Sequence, residues 1–237
     1  MIPLRDDIPS RRSPTINTTL IVLNVIVFLI ETVALGSEPL QRFTYRWGLV
    51  PAEFWRFEGL RPWLTLFTSM FLHGGWWHLI SNMLALYIFG DNIEDRVGHV
   101  RYLFFYLLSG LAASAAHLVA YAESTLPTVG ASGAIAGVLG AYLVLFPQAR
   151  VLTLVPVFYF LRLIEIPAFI YLGFWFVSQL FNGIFALTAV DVFQSGGVAW
   201  WAHIGGFVFG LLVIRLLASR TKAYVVGRYD PFQDGRW

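Results

Sequence analysis

Residues 131–146 read ASGAIAGVLGAYLVLF, from Ala131 to Phe146, and Pro147 closes the run. Not one of these residues is charged. A run of this length and polarity fits a helix set in an apolar medium, where each backbone N–H and C=O is satisfied inside the helix. Gly133 and Gly137 stand four apart, the small-xxx-small spacing that lets two helix backbones approach closely. Ser132 stands at the start of the run, where the free N–H groups and the dipole of a helix favour negative charge.

The rest of the chain repeats this apolar character. Hydrophobic residues make up 57% of the 237 residues and charged residues only 13%, against about 25% charged in a soluble domain. So little charge cannot cover a water-facing surface, and lipid is the expected solvent. Six stretches are long and apolar enough to cross a bilayer: 16–35, 76–92, 101–122, 131–146, 164–188 and 199–217. The formal net charge of +2 calls for no acidic partner, nucleic acid included. There is no cysteine, which excludes disulfides, thiolate metal sites and a cysteine nucleophile.

The distribution of positive charge orients the six segments. Arg5, Arg11 and Arg12, then Arg96 and Arg101, then Arg150 and Arg162, and finally Arg215 with the basic tail all fall on one side. The expected arrangement has residues 1–15 as a cytoplasmic segment, 16–217 as the membrane domain and 218–237 as a cytoplasmic tail. The N-terminus lacks the marks of a cleaved signal, and the first apolar helix is expected to serve as its own membrane signal. The long outer loop, about 36–75, carries Trp47, Trp55, Trp63 and Phe67 and is expected to lie partly among the headgroups.

Polar residues inside these segments fall into two kinds. Asn17, Asn24 and Glu31 are spaced seven apart on the first helix, and His117 lies on the third. These read as hydrogen-bonding glue between helices. The second kind sits at the outer ends of the second, fourth and sixth helices: His73-Gly-Gly-Trp-Trp-His78 with Asn82, Gly130-Ala-Ser132-Gly133, and Ala202-His203-Ile-Gly205-Gly206. Topological parity brings all three to one leaflet. Gly133 with Gly137 and Gly206 with Gly210 would let the fourth and sixth helices approach until the Ser132 hydroxyl meets the His203 imidazole, the base a serine needs to become a nucleophile. His78 and Asn82, at i and i+4, share a face and both can donate to an oxyanion. Taken alone, these residues leave a serine hydrolase and a transporter or channel both open. No His-Glu-x-x-His occurs, and His73 and His78 lie about 140° apart on a helix, which disfavours a metal hydrolase.

In order, spacing and helix placement, the three clusters together resemble the rhomboid intramembrane serine proteases. The resemblance covers roughly residues 15–217. It implies an all-α polytopic membrane protein with a six-transmembrane-helix bundle, and a Ser132–His203 catalytic dyad with no acidic third member and no cofactor or metal. It further implies an oxyanion hole from His78, Asn82 and the Ser132 backbone, supported by Gly130, Gly133, His73 and Gly206. Glu94 resembles an acid that ties helix ends together. The segment Asp191 to Val198 looks like a mobile cap. Where some members place a tyrosine one turn after the nucleophile, stacked on the histidine, this chain has Ala136, so the resemblance does not supply what holds His203. The implied function is hydrolysis of peptide bonds in or near the transmembrane segments of membrane-protein substrates. The expected location is a prokaryotic inner membrane, with the site open to the outer side. A non-catalytic relative that binds membrane clients is the alternative, and the presence of both Ser132 and His203 disfavours it. A transporter is disfavoured because no inverted repeat is detectable.

Overall fold

The computed structural model describes residues 1–34, 37–56, 59–188 and 198–218. Strand β1 (Ile2–Asp6) is followed by α1 (Thr15–Leu29), which continues as a π-helical turn, Ile30–Ala34. Three short helices fill the long outer loop: α2 (Ser37–Trp47), α3 (Pro51–Arg56) and α4 (Arg61–Thr68), closed by a 3-10 turn at Ser69–Phe71. Then come α5 (Trp76–Val97), α6 (His99–Ala120) and α7 (Ser132–Leu145), the strands β2 (Arg150–Val157) and β3 (Phe160–Pro167), and finally α8 (Ala168–Thr188) and α9 (Trp200–Leu217). The six long helices α1, α5, α6, α7, α8 and α9 form a helical membrane bundle, as the apolar stretches predict. The segment Asp191 to Gly197 and the tail from Ser219 onward lie outside the described residues.

The bundle is apolar outside as well as inside. Phe174 and Phe181 on α8, Phe104 on α6 and Leu212 on α9 are all more than half exposed, as side chains facing acyl chains should be. Helix α7 is the exception. At 14 residues it spans about 21 Å, short of a hydrocarbon core of about 30 Å. It packs against α5, α6, α8 and α9, and every residue from Gly133 to Tyr142 is buried. A helix enclosed on all sides by protein does not need to reach both membrane surfaces. Its first residue, Ser132, can therefore sit below the outer surface.

Glycine sets the distance between α7 and α9. A Cβ added at Gly206 would collide with the Gly133 carbonyl oxygen, one at Gly210 with the Gly137 carbonyl oxygen, and one at Gly140 with the Phe207 carbonyl oxygen. The two helices thus touch backbone to backbone for two turns. Gly205 makes a similar approach to Ala116 of α6.

Polar bonds lock the opposite end of the bundle. Pro14 offers α1 no side-chain cap. Instead Glu94 of α5, 1% exposed, accepts from the Ile16 and Asn17 N–H groups at 2.9 and 2.8 Å and also pairs with His99. One buried carboxylate satisfies two orphan donors of a helix start and faces its positive dipole. Asn17 extends the link, donating to the Leu86 carbonyl at 2.9 Å and accepting from Tyr102 at 2.7 Å.

Two features at this end depart from the sequence expectation. The apolar run from 164 does not begin a helix: α8 starts at Ala168, and residues 160–167 form β3, paired with β2 from Arg150↔Pro167 to Val157↔Phe160. Hydrophobicity alone does not distinguish an apolar strand from the first turn of an apolar helix. The Ala168 N–H donates to the Ala149 carbonyl at 2.7 Å, which closes the hairpin before the helix begins. In addition, the all-α expectation includes no strand in residues 1–15, yet one forms there. Strand β1 pairs antiparallel with β2, completing a sheet of order β1-β2-β3. Asp6 at its end accepts from Tyr142 of α7 and, at 2.9 Å, from Asn92 of α5. The sheet is an addition to the helical class and does not replace it.

The backbone contact generates a test. Gly210→Ala should destabilise the bundle by about 1–3 kcal/mol, the usual range for overpacking a filled interface. Gly173→Ala, where a Cβ meets nothing within 4 Å, should leave the unfolding midpoint unchanged or raise it. Thermal unfolding of both variants in one detergent gives the comparison.

Candidate active site

Ser132 is the first residue of α7, half-buried, and His203 lies in the first turn of α9, 8% exposed. The helix contact described above brings the Ser132 Oγ to 2.8 Å from the His203 Nε2. The segment entering α7 is held from the outer loop: the Gly130 N–H donates to the Ser69 carbonyl at 2.9 Å, and Leu49 and Thr128 exchange a pair of backbone bonds. Gly130 has φ +130°, a conformation open to glycine and strained for other residues.

The tautomer of His203 follows from its second nitrogen. His203 Nδ1 is 2.8 Å from the Gln179 Oε1 of α8. The other end of that amide, Nε2, lies 3.1 Å from the Trp175 carbonyl and 3.0 Å from the Ser178 Oγ. A backbone carbonyl can only accept, so the amide nitrogen must point there and the amide oxygen must face His203. His203 therefore carries its proton on Nδ1 and donates it to Gln179. Its Nε2 presents a lone pair to the Ser132 hydroxyl. The rings of Trp175 and Trp200 flank the imidazole, with centroids at 5.7 and 6.4 Å. Ala136, the position where some rhomboids have an aromatic ring, is fully buried; the imidazole is bracketed from α8 and α9 instead.

His78 is settled the same way. The Gly74 N–H donates to the His78 Nδ1 at 3.3 Å, so the neutral ring carries its proton on Nε2. That nitrogen lies 2.8 Å from where a Cβ on Gly130 would stand, a point itself 3.5 Å from the Ser132 Oγ. The His78 ring and the Ser132 hydroxyl therefore border the same face of Gly130, and only a glycine there leaves the ring room. Asn82, one turn further along α5, is 6% exposed, and its Nδ2 has no hydrogen-bond partner among the described residues. A buried amide without a partner is uncommon enough to call for a ligand or water at that position.

The supporting residues of the sequence reading act through packing. His73 is 4% exposed and meets the His78 ring edge-on at 5.1 Å and Phe28 at 6.4 Å, while its backbone N–H donates to Glu31 at 3.3 Å. Gly133 and Gly206 face each other in the α7–α9 contact. His117 bonds Thr128 at 2.7 Å and borders a small cavity beside Ser132, with Ser69, Ser114 and Gly133 also in its wall. The cavity volume of about 30 Å³ leaves room for two or three waters at roughly 10–15 Å³ each.

Gln179 was absent from the sequence reading. Its signal was there: Ser178, Gln179 and Asn182 interrupt an otherwise apolar helix, and a polar side chain inside a membrane helix usually faces a partner in the bundle. Nothing in the sequence, however, ties a residue of the fifth helix to His203.

Comparison with known proteins places the chain in one family. A family model described as the rhomboid domain matches residues 53–220. The chain is 30% identical over 210 residues to the rhomboid protease AarA of Providencia stuartii, across 82% of this chain and 69% of that protein. It is 32% identical over 202 residues to the rhomboid protease GluP of Bacillus subtilis, across 77% of this chain and 36% of the relative. To the mitochondrial rhomboid protein 1 of Saccharomyces cerevisiae it is 31% identical over 153 residues, 63% of this chain and 40% of the relative. The chain thus spans well under half the length of the last two.

A serine hydroxyl facing an imidazole lone pair should react with a fluorophosphonate. Mass spectrometry of the labelled chain is expected to place the adduct on Ser132, and His203→Ala should abolish it. Gln179→Leu should slow labelling by about tenfold or more, because the histidine loses the acceptor that selects its tautomer. Equal labelling rates in wild type and Gln179→Leu would remove Gln179 from this role.

Proposed function

Since the chain belongs to the rhomboid family, we propose that it is an intramembrane serine protease acting on the transmembrane segments of other membrane proteins. Ser132 is the nucleophile and His203 its base. The observation that carries this reading is the 2.8 Å contact between the Ser132 Oγ and the His203 Nε2, with the Nδ1 proton committed to Gln179.

The chemistry follows from these atoms. Ser132 Oγ attacks a substrate carbonyl carbon as its proton passes to His203 Nε2. The carbonyl oxygen becomes an oxyanion, met by the Ser132 backbone N–H at the start of α7, by the His78 Nε2–H and by the Asn82 Nδ2. The imidazolium then gives its proton to the departing amine nitrogen as the C–N bond breaks, leaving an acyl group on Ser132. Water from the adjoining cavity loses a proton to His203 and attacks the acyl carbon; the bond to Ser132 Oγ then breaks as the imidazolium returns its proton to that oxygen, and the new carboxylic acid leaves. Throughout, the Nδ1–H bond to Gln179 holds the ring in place and strengthens while the ring is positive. A carboxylate in that position would add a buried charge to a membrane helix, which is costly. A neutral amide provides the acceptor without it.

A substrate helix hides its carbonyls in hydrogen bonds and must unwind to present one. Substrates are therefore expected to carry small or helix-breaking residues near the cut. The distribution of arginines supports a site open to the side opposite the cytoplasm, with both flanks of the 16–217 membrane domain cytoplasmic.

Two experiments test this reading. The purified chain should cleave a model single-span substrate, and Ser132→Ala should not. Asn82→Ala should lower kcat about 10²–10³-fold with little change in KM, the signature of a donor used in the transition state. A variant with a lowered melting temperature but normal single-turnover rate would confine Asn82 to packing. For orientation, cysteines introduced into this cysteine-free chain report the side: Glu123→Cys, in the exposed α6–α7 connection, should react with an impermeant thiol reagent outside intact cells, and Arg150→Cys should not. The reverse pattern would overturn the orientation.

A further inference from the structure

At the opposite end of the bundle from Ser132, the β2–β3 hairpin presents an apolar surface that neither the fold nor the proposed chemistry uses. Phe158 is 94% exposed, Tyr159 98%, Phe160 70%, Leu161 68% and Leu163 59%. Strand β1 pairs with β2 only as far as Leu154, so the distal part of the hairpin extends beyond the third strand as a bare two-stranded ribbon. Single exposed apolar side chains are ordinary, but a contiguous patch of large ones has something covering it.

Position in the sheet indicates which way the patch faces. Strand β1 is joined to the bundle through Asp6, which bonds Tyr142 of α7 and Asn92 of α5. The order β1-β2-β3 then sets β3 at the far edge, two strand spacings or about 10 Å further out. Strand β3 passes into α8 without a linker, Pro167 to Ala168. The first turns of α8 expose Phe169, Ile170 and Phe174, on the side of the helix turned to lipid. The apolar skin of a membrane helix thus leads into the edge strand and, past the Glu165–Arg150 pair and Arg162, on to the hairpin tip.

Two details separate this from a water-facing edge. Edge strands in water are normally guarded by charged residues; Glu165 on β3 is paired with Arg150 near the hairpin base at 3.4 Å, and the distal half of β3 carries only Arg162 among Phe160, Leu161, Leu163 and Ile164. The tip residue Phe158 has φ 54°, a left-handed conformation that glycine or asparagine would adopt with less strain. A phenylalanine held there places a ring at the apex. Aromatic rings with an arginine beside them match the chemistry of the headgroup–acyl boundary.

We propose that the β2–β3 hairpin is a membrane anchor whose tip, Phe158 to Leu161, inserts into the phospholipid leaflet on the side opposite the Ser132 opening, alongside the lipid face of α8. The anchor adds a contact with the bilayer beyond the six spanning helices and ties α8, the helix that bears Gln179, to one leaflet from its first residue. The assignment does not depend on the proposed proteolysis.

The absence of native cysteine allows a direct test. The Tyr159→Cys chain is placed in phosphatidylcholine–phosphatidylglycerol nanodiscs at one copy per disc. Its reaction with a charged, water-soluble thiosulfonate is timed against that of Glu123→Cys. The anchor predicts at least a tenfold slower reaction at position 159. After attachment of an environment-sensitive fluorophore, it also predicts strong quenching by lipids spin-labelled near the headgroup and weak quenching by iodide. Equal thiol reactivity at the two positions would overturn the proposal. So would protection that appears only in discs holding two copies, since that places a second chain on the edge strand in place of lipid.

Discussion

The backbone contact between α7 and α9 is the constraint on which the rest of the molecule depends. Ser132 and His203 lie on different helices, and their side chains are short. A hydroxyl and an imidazole meet at hydrogen-bond distance only if the two backbones come closer than ordinary side chains permit. Gly133, Gly137, Gly206 and Gly210 remove those side chains, so that carbonyl oxygens of one helix occupy the space where Cβ atoms of the other would lie. In lipid there is no hydrophobic force to press helices together, and close van der Waals packing of this kind is what remains. The same contact encloses α7, and enclosure lets the helix be short. A short central helix in turn lets its first residue, with free N–H groups, lie below the end of the bundle beside a small cavity.

Burial in an apolar bundle shapes the polar side of the site. Each group at its centre is neutral or shares its proton: Gln179 replaces an acid as the partner of His203, and His78 is oriented by a backbone N–H from Gly74. The Gln179 amide is fixed in turn by Trp175 and Ser178 on its own helix. A chain of bonds therefore runs from the α8 backbone through Gln179 and His203 to Ser132. The Asn82 Nδ2 has no partner among the described residues, which suits a group whose partner is the oxyanion of the proposed intermediate. At the other end Glu94 meets the start of α1 and Asp6 reaches both α5 and α7. Those bonds hold fixed the far ends of the helices that carry Asn82 and Ser132.

Much of this was legible in the sequence. The six helices follow from apolar runs about as long as a bilayer is thick, and their order follows from the chain itself. Helices that alternate in direction bring the starts of the second, fourth and sixth together, so the clusters at His78, Ser132 and His203 could be assigned to one leaflet without coordinates. The glycine pairs predicted which helices touch. All of these are local patterns or simple parity, and the membrane makes them reliable because it admits few alternatives to a spanning helix.

Three things waited for the tertiary structure. Residues 160–167 are as apolar as a helix start, and only the hydrogen bonds from β3 to β2, and from β2 to β1 at the far N-terminus, decide that they form a strand. The partner of His203 is Gln179, 24 positions earlier on another helix, and no spacing rule connects a side chain to a partner across a bundle. The proton on His203 depends on that partner, because an imidazole has two equivalent sites until one of them is bonded. The sequence by itself determined that six apolar helices follow one another and that the polar clusters gather at one end of the bundle, since both follow from composition over a few turns of helix and from parity. Which nitrogen of His203 faces Ser132, and whether the chain between α7 and α8 is helix or sheet, was decided by hydrogen bonds between segments distant in sequence, which exist only once the helices are packed.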